Sequence, residues 1–548
     1  MAEHCQSNIQ GGHLPRSSDS KKRHHRAGSA PNEKQGPMVS VLLPTLNRPG
    51  YFAQALFSVV RQSYKNLQII VVNDGGRDVS SVVDSCGDPR VIYINRKENR
   101  GKAFSLNEAL ERAEGKYIAY LDDDDLYYPD HIATLVEALE NQTECQVAYS
   151  DLYKVYCSIQ PDGSRLALGK VVEVSRDFDR FVMLYYNHVL HVSLLHRRDL
   201  IDRTGPYNED LSVLIDWDMT RRLAFFSDFH HITDITGEFY SPVGDSDRIS
   251  VRKRKDKSEY LRNALTIRTT RPPKPWPKIE DMSIILVTDR LDKQTAGTIG
   301  SIWRYSFYPY KLYLPLPQVD AGRFEAGVPN VVIVPVDSSV PGARRIDAAL
   351  AVCDGEYVAV VPSGFDVTEM WLEDSLHALI NSPLAGEAIE LDRSTDALWA
   401  AVMRKSDLQS ARNNFPDMSI RESLESAGIT LRRPRPNEIP FQFDQLLAEA
   451  QRTEKAGDFS EAGRIYEHIA AGYENQLWMK SLAATAYFKA GEYSRAAQLT
   501  DELNRSRPTV DTLLLEARLK RKEKDFASSV DLLERAKCML DEKELLWT

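Results

Sequence analysis

Residues 117–130 read Tyr-Ile-Ala-Tyr-Leu-Asp-Asp-Asp-Asp-Leu-Tyr-Tyr-Pro-Asp. An apolar, β-prone run ends abruptly in four consecutive carboxylates, Asp122–Asp125. The pattern predicts a buried strand that stops with its acids at its C-terminal mouth, where open α/β sheets bind ligands. Carboxylates crowded at one mouth repel each other and need a cation or a proton. A hard divalent ion with oxygen ligands is the natural partner. Taken alone, an acidic run is better explained as a helix start, since Asp is favoured at the cap and Pro129 suits a first turn. The surrounding sequence decides otherwise.

Upstream, Val39–Leu43 is a short apolar strand ending at Pro44-Thr45-Leu46-Asn47. Residues 51–63 follow as a helix with apolar positions at Phe52, Leu56, Val59 and Val60. Leu67–Val72 is a second strand, ending at Asn73-Asp74-Gly75-Gly76, and Val91–Ile94 a third. Asn99-Arg100-Gly101 then opens a helix through Ala113. This alternation predicts a mostly parallel sheet with helices on both faces, an α/β domain whose polar and Gly turns at the strand ends suit a nucleotide.

Downstream, Arg271-Pro-Pro-Lys-Pro-Trp-Pro277 can continue neither a helix nor a central strand, so 266–280 reads as a Pro-rich linker. Beyond this linker the chain echoes the first domain. Ser58-Val-Val-Arg-Gln-Ser-Tyr64 returns as Ser301-Ile-Trp-Arg-Tyr-Ser-Phe307, and Ala109–Ala119 returns as Ala349–Ala359. Residues 281–437 are therefore expected to be a degenerate copy of the same α/β fold, with Pro362, Ser363, Gly364 and Phe365 where the acids stood. From 438 to 548 the period changes. Gly457-Asp458-Phe459, Gly491-Glu492-Tyr493 and Lys524-Asp525-Phe526 recur at spacings of 34 and 33, with Ala462 and Ala496 in matching places. A 34-residue helix–turn–helix period resembles an all-α tetratricopeptide array.

Composition narrows the class. A length of 548 residues leaves room for several domains. A net charge of −10 argues against general nucleic-acid binding. The six cysteines are scattered, with no CxxC and no zinc spacing, which suggests a reducing compartment. No apolar run approaches the roughly 18 residues that span a bilayer. Residues 1–36 are Ser-, His-, Lys- and Arg-rich without an apolar core, so they read as a disordered tail and not a secretory signal. The expected location is cytoplasmic, with peripheral attachment at the cytoplasmic membrane face as the other option.

Five stretches now stand in order: Val41-Leu-Leu-Pro-Thr-Leu-Asn-Arg48, Ser58–Tyr64, Ile69-Ile-Val-Val-Asn-Asp-Gly-Gly76, Asn99-Arg-Gly101 and Tyr120-Leu-Asp-Asp-Asp-Asp125. Together they resemble the glycosyltransferase family 2 pattern on a GT-A fold, over about residues 38–245, within an expected catalytic domain of 37–265. The resemblance implies an inverting, metal-dependent hexosyltransferase. It would move a sugar from a nucleotide-diphosphate donor, expected to be a UDP-sugar, to a hydroxyl of a glycan or protein. The family's Asp-x-Asp falls on Asp122 and Asp124. It implies Asp122 and Asp123 on the donor side, and Asp124 and Asp125 holding Mn²⁺ or Mg²⁺. Asp74 would accept from the base's imide N–H, which only an acceptor side chain can do. Pro44, Thr45 and Asn47 resemble the nucleoside contacts, and Asn99, Gly101 and Lys102 the diphosphate side, with Arg100 beside them.

Further on, Leu214-Ile-Asp-Trp-Asp218 resembles the family's Glu-Asp-Trp-Asp, with Ile215 replacing the Glu. The resemblance makes Asp216 the catalytic base, since a carboxylate within reach can take an acceptor hydroxyl's proton as the bond forms. Asp218 is expected to be an ordinary first-turn acid. His188, His191 and Trp217 are weaker candidates for the acceptor side, one His facing the cleft and one packing. The metal-binding His that many relatives carry after the last strand is missing from Tyr240–Asp245, leaving Asp245 as a substitute. Arg248–Lys257 reads as a solvated basic loop or a lid over the diphosphate. Two rivals are a non-catalytic nucleotide-sugar-binding scaffold, recruiting partners through the helical repeats, and a nucleotidyltransferase. The repeats themselves would hold a protein partner or mediate self-association.

Overall fold

In the computed structural model, Val39–Thr45 (β1) is a mostly apolar central strand, buried along nearly its whole length. Buried runs without alternation are what a parallel strand covered on both faces requires. The structure describes residues 36–172, 175–243, 257–321, 330–340, 342–391, 398–435, 438–439, 442–472 and 477–544. The tail at residues 1–35, Asp245 and the basic stretch up to Asp256 lie outside the described residues.

Leu67–Asn73 (β2), Val91–Asn95 (β3) and Tyr117–Tyr120 (β4) run parallel to β1, in the order β3-β2-β1-β4. Leu126–Tyr127 (β5), Val147–Ile159 (β6), Arg165–Val171 (β7), Leu194–Arg197 (β8) and Phe229–Pro242 (β9) complete a nine-stranded sheet. β8 pairs antiparallel with β4 and β6, and β9 pairs parallel with β6. The long β9 then crosses to pair with β5 just beyond the four acids. That approach depends on Gly237, where a Cβ would stand 2.6 Å from the Leu126 carbonyl oxygen.

A second sheet is built from Met282–Val287 (β10), Tyr310–Pro317 (β11), Val331–Val336 (β12), Tyr357–Pro362 (β13), Glu387–Glu390 (β14), Ala401–Arg404 (β15) and Thr430–Arg432 (β16). Its order, β12-β11-β10-β13-β15-β14-β16, has the same pattern of directions as β3-β2-β1-β4-β8-β6-β9. The register agrees as well: Val39 faces Leu67 and Tyr117, and Met282 faces Tyr310 and Tyr357. In the first sheet Gly115 N–H donates to Ser40 Oγ at 2.9 Å; in the second Gly355 N–H donates to Ser283 Oγ at 3.0 Å.

Each sheet has apolar layers on both sides. Helices Pro49–Val60 and His131–Asn141 cover one face of the first sheet. On the other face, Leu42, Ile70 and the helices Lys102–Arg112 and Ile215–Leu223 share one core with Ile284, Leu286 and the helix Trp371–Ile380 of the second. The Pro-rich stretch 271–277 is accordingly packed rather than loose: Trp276 meets Phe225 edge-on at 5.1 Å. Residues from Pro37 onward hold together as one compact unit.

The C-terminal region is helical. Among the described residues, the helices Gln442–Lys455, Phe459–Gly472, Leu477–Ala490, Tyr493–Ser506, Val510–Lys522 and Phe526–Glu544 each pack against the next. Gly457, Gly491 and Lys524 all turn with positive φ at the recurring position. Ala462 and Ala496 are fully buried where the helices close up. No helix among the described residues is long and apolar enough to cross a membrane.

Candidate functional site

The acids divide by direction. Asp122, Asp124 and Asp125 present carboxylate oxygens that all lie within 4.8 Å of one another. Asp123 turns the other way. Its Oδ2 accepts from Thr45 Oγ1 at 2.8 Å and from Leu46 N–H at 3.2 Å, and its Oδ1 accepts from Arg48 at 3.3 Å. Asp123, expected among the donor contacts, thus ties the end of β4 to the end of β1. Burial, followed by the charge of Asp124, pushes its pKa up to about 6.

Each of the other three acids is steadied by a different element. Asp124 Oδ2 pairs with Arg48 Nη1 at 2.8 Å. Asp125 Oδ1 accepts from Tyr240 N–H of β9 at 3.0 Å. Asp122 pairs with Lys102 Nζ at 2.5 Å, from the first turn of helix Lys102–Arg112. Burial pulls the Lys102 ammonium down, but Asp122 outweighs it and, with Asp216 and Asp124, holds its pKa above the ordinary value. Three carboxylates converging without a sulfur or imidazole form a hard-oxygen set that fits Mg²⁺ or Mn²⁺.

The turn after β2 is built around Asp74, which is 4% exposed. Its Oδ1 accepts from Arg100 N–H at 2.8 Å and pairs with Arg96 at 3.1 Å; its Oδ2 accepts from Gly101 N–H at 2.8 Å. Asn99 Oδ1 also accepts from Gly101 N–H, at 3.0 Å. Gly75 (φ +69°) is required there, because a Cβ would lie 2.3 Å from the Glu98 carbonyl carbon. Asn47, in the left-handed region at φ +57°, accepts from Arg77 N–H at 2.8 Å and holds that turn beside Pro44 and Thr45 at the end of β1.

Asp216 sits in the first turn of helix Ile215–Leu223, with Asn187 Nδ2 at 3.5 Å from its Oδ2. Its charge joins that of Asp122 and Asp124 in holding the Lys102 ammonium above its ordinary pKa. Leu214, one residue before the helix, is held at φ +63°, a strained setting for a non-glycine residue. Asp218 is spent on Arg222, at 2.6 Å and 3.1 Å.

The three acceptor-side candidates lie in different surroundings. Trp217 is 4% exposed and donates its indole N–H to the Met183 carbonyl at 2.9 Å. It is a core residue, because the helix that aims Asp216 outward turns the next residue inward. His188 is packed against Phe178, and burial drives its pKa well below the usual imidazole value. His191 lies under the mouth, stacked on Tyr120 at 4.1 Å. His196 Nδ1 must donate to the Arg197 carbonyl, so its Nε2 accepts from Tyr120 O–H at 2.7 Å. His191 Nε2 and the Tyr207 hydroxyl share a hydrogen bond of 2.7 Å. His191 is buried and stays neutral, its pKa pushed down to about 3 by burial.

Arg48, Arg96 and Arg165 were not singled out from the sequence. Arg48 closes the Val41–Arg48 motif and was legible by position; Arg165 comes from a hairpin whose only signal is the turn Pro161-Asp162-Gly163. In the second sheet the corresponding mouth is filled. Ser363 Oγ bonds Thr295 Oγ1 at 2.9 Å, Gly364 N–H donates to Thr298 Oγ1 at 2.9 Å, and Gln294 crowds Gly364.

Residues 40–188 match the family model described as Glycosyl transferase family 2. Among curated proteins, an uncharacterized glycosyltransferase of Rickettsia prowazekii (strain Madrid E) is 30% identical over 192 residues, which is 33% of this chain and 57% of that protein. A PGL/p-HBAD biosynthesis glycosyltransferase of Mycobacterium bovis (strain BCG / Pasteur 1173P2) is 24% identical over 261 residues, 46% of this chain and 96% of that protein. Among solved structures, a mannosyltransferase of Pyrobaculum calidifontis in complex with GDP-Man and Mn²⁺ is 21% identical, with a TM-score of 0.33, over 44% of this chain and 68% of that one. The chain spans less than two thirds of the Rickettsia relative.

Proposed function

We propose that the first domain is an inverting, metal-dependent glycosyltransferase that moves a sugar from a nucleotide-diphosphate donor, a UDP-sugar, to a hydroxyl of a glycan or protein. The observation that carries this reading is the three-carboxylate mouth of Asp122, Asp124 and Asp125, with Lys102 paired to Asp122 at 2.5 Å. Asp124 and Asp125 would hold Mn²⁺ or Mg²⁺, with Asp122 toward the donor ribose. When bound, the ion supplies positive charge against the leaving diphosphate. Lys102 adds a fixed positive charge beside Asp122. Asp74 Oδ2, with one N–H already on it, has capacity for one more donor and is assigned to the base's imide. Pro44, Thr45 and Asn47 frame the nucleoside, with Asn99 and Gly101 on the diphosphate side. Asp216 takes the proton from the acceptor hydroxyl as that oxygen attacks the anomeric carbon.

The second domain is read as a degenerate, non-catalytic copy, because Pro362, Ser363, Gly364 and Phe365 stand where the four acids stood and Gln294, Thr295 and Thr298 pack against Ser363 and Gly364. The helical region is read as a tetratricopeptide array that docks a protein partner or a second copy. The location remains cytoplasmic, at most peripheral to a membrane. The test is a panel of nucleotide sugars incubated with the pure chain and Mn²⁺, watching for release of the nucleoside diphosphate. Hydrolysis of a UDP-sugar, suppressed by chelator, is the expected outcome; turnover of none, or release of pyrophosphate instead, would refute the reading.

A further inference from the structure

A planar cation from a distant hairpin lies against the acidic mouth. The turn joining β6 to β7 is closed by Gln160 N–H donating to the Ser164 carbonyl at 2.8 Å and by Asp162 Oδ1 accepting from Ser164 N–H at 2.9 Å. Tyr51, at the start of helix Pro49–Val60, donates its hydroxyl to the Gly163 carbonyl at 2.6 Å and ties the tip down. Arg165, the first residue of β7, then reaches back as a fork. Its Nη1 donates to the Asp124 carbonyl at 2.5 Å and its Nη2 to Gln54 Oε1 at 2.9 Å. The guanidinium lies 3.5 Å from the Tyr240 ring centroid and 4.4 Å from that of Tyr51. Tyr240 in turn gives its N–H to Asp125 Oδ1 at 3.0 Å and its hydroxyl to Glu238 at 2.9 Å.

We propose that Arg165 is a positioning residue that sets the affinity of the Asp122–Asp124–Asp125 mouth for its divalent cation. The proposal rests on the metal-dependent reading of the site. The Asp124–Asp125 peptide links two of the three carboxylates, and Arg165 holds its carbonyl directly and its second carboxylate through Tyr240. Two parallel donors on a flat group fix orientation as well as distance, which a lysine's single point charge does not. The stacking on Tyr240 transmits the same constraint to β9. Partners outside the ligand set typically change metal affinity by about 10- to 100-fold when removed.

The test uses the full chain and Mn²⁺ titrations, followed by electron paramagnetic resonance with UDP present, alongside thermal unfolding. Arg165→Ala and Arg165→Lys should both weaken Mn²⁺ binding by about 10-fold or more. Lysine should fail to rescue, because it keeps the charge and loses the fork. Tyr51→Phe loosens the hairpin tip without touching the mouth and should bind Mn²⁺ as the unaltered chain does. If Arg165→Ala does not fold, Arg165→Lys carries the same comparison. Unchanged Mn²⁺ affinity in the Arg165 variants would overturn the proposal alone. Affinity that falls only in step with unfolding temperature, in Tyr51→Phe as well, would overturn it in favour of a hairpin staple. Absence of Mn²⁺ binding to the unaltered chain would sink both the proposal and the metal-dependent reading.

Discussion

Adjacent carboxylates in a tight turn point to different neighbours, and Asp122–Asp125 obey that geometry. Asp123 faces Thr45 and Arg48 while Asp122, Asp124 and Asp125 converge. That an acidic mouth exists was legible, because an apolar strand ending in four acids has few other meanings. Which acid faces the mouth was not, because turn direction depends on β1 and β9, which the local sequence does not contain. Trp217 misled for a related reason: its place beside Asp216 says nothing about which side of the helix is buried. Asp216 itself yields a direct expectation. Asp216→Asn keeps shape and the Asn187 contact but loses the base, so donor affinity should hold while transfer falls by about 10² to 10⁴-fold. Single-turnover transfer with a parallel UDP-sugar binding assay checks it; turnover within a few-fold of the unaltered chain would make Asp216 structural.

Among elements, the parallel strands β1–β4 and the helices between them come from apolar runs, Gly turns and their alternation. Contacts made by long β6 and β9 were invisible, because they join residues far apart in sequence. The clearest is His231 on β9, with Nδ1 2.8 Å from Asp177 and Nε2 2.9 Å from Asp151. Its side chain is 3% exposed and stacks on Tyr149 at 4.8 Å. Burial pulls the imidazole down, but hydrogen bonds to Asp151 and Asp177 outweigh it, so its pKa is raised above 6.5. A pKa raised by folding stabilises the fold fully below the unfolded value of about 6.5 and loses that contribution as pH rises through the folded value. Stability should therefore decline as pH rises above about 6.5, and His231→Gln should flatten that slope. Denaturant midpoints from pH 6 to 9 measure it; identical slopes in both proteins would contradict the ion-paired imidazolium.

Across the chain, the two sheets share one core, and the buried Arg221 stitches them. Arg221 donates to the carbonyls of Thr270 at 2.7 Å, Arg268 at 2.9 Å, and Leu184 and Phe307 at longer range. Burial pulls its pKa down to about 9, so it stays charged at neutral pH. Arg221→Met leaves those carbonyls without their donor and should cost about 3 kcal/mol of stability. A denaturant titration that loses less than about 1 kcal/mol would show that water replaces the guanidinium. The sequence echo of residues 301–307 and 349–359 lies in a region whose sheet has the same strand order and register as the first. The shared core between the sheets was not legible, since apolar faces do not name their partners.

The most direct measurement is calorimetric titration of UDP into the full chain with Mn²⁺ and with chelator, repeated in Asp124→Ala and Asp123→Asn. UDP affinity should depend on Mn²⁺ in the unaltered chain and in Asp123→Asn, whose position faces Thr45, and that dependence should vanish in Asp124→Ala. UDP affinity that is the same with chelator as with Mn²⁺, or a Mn²⁺ dependence that survives in Asp124→Ala, would contradict a metal-dependent donor site at the mouth of β4.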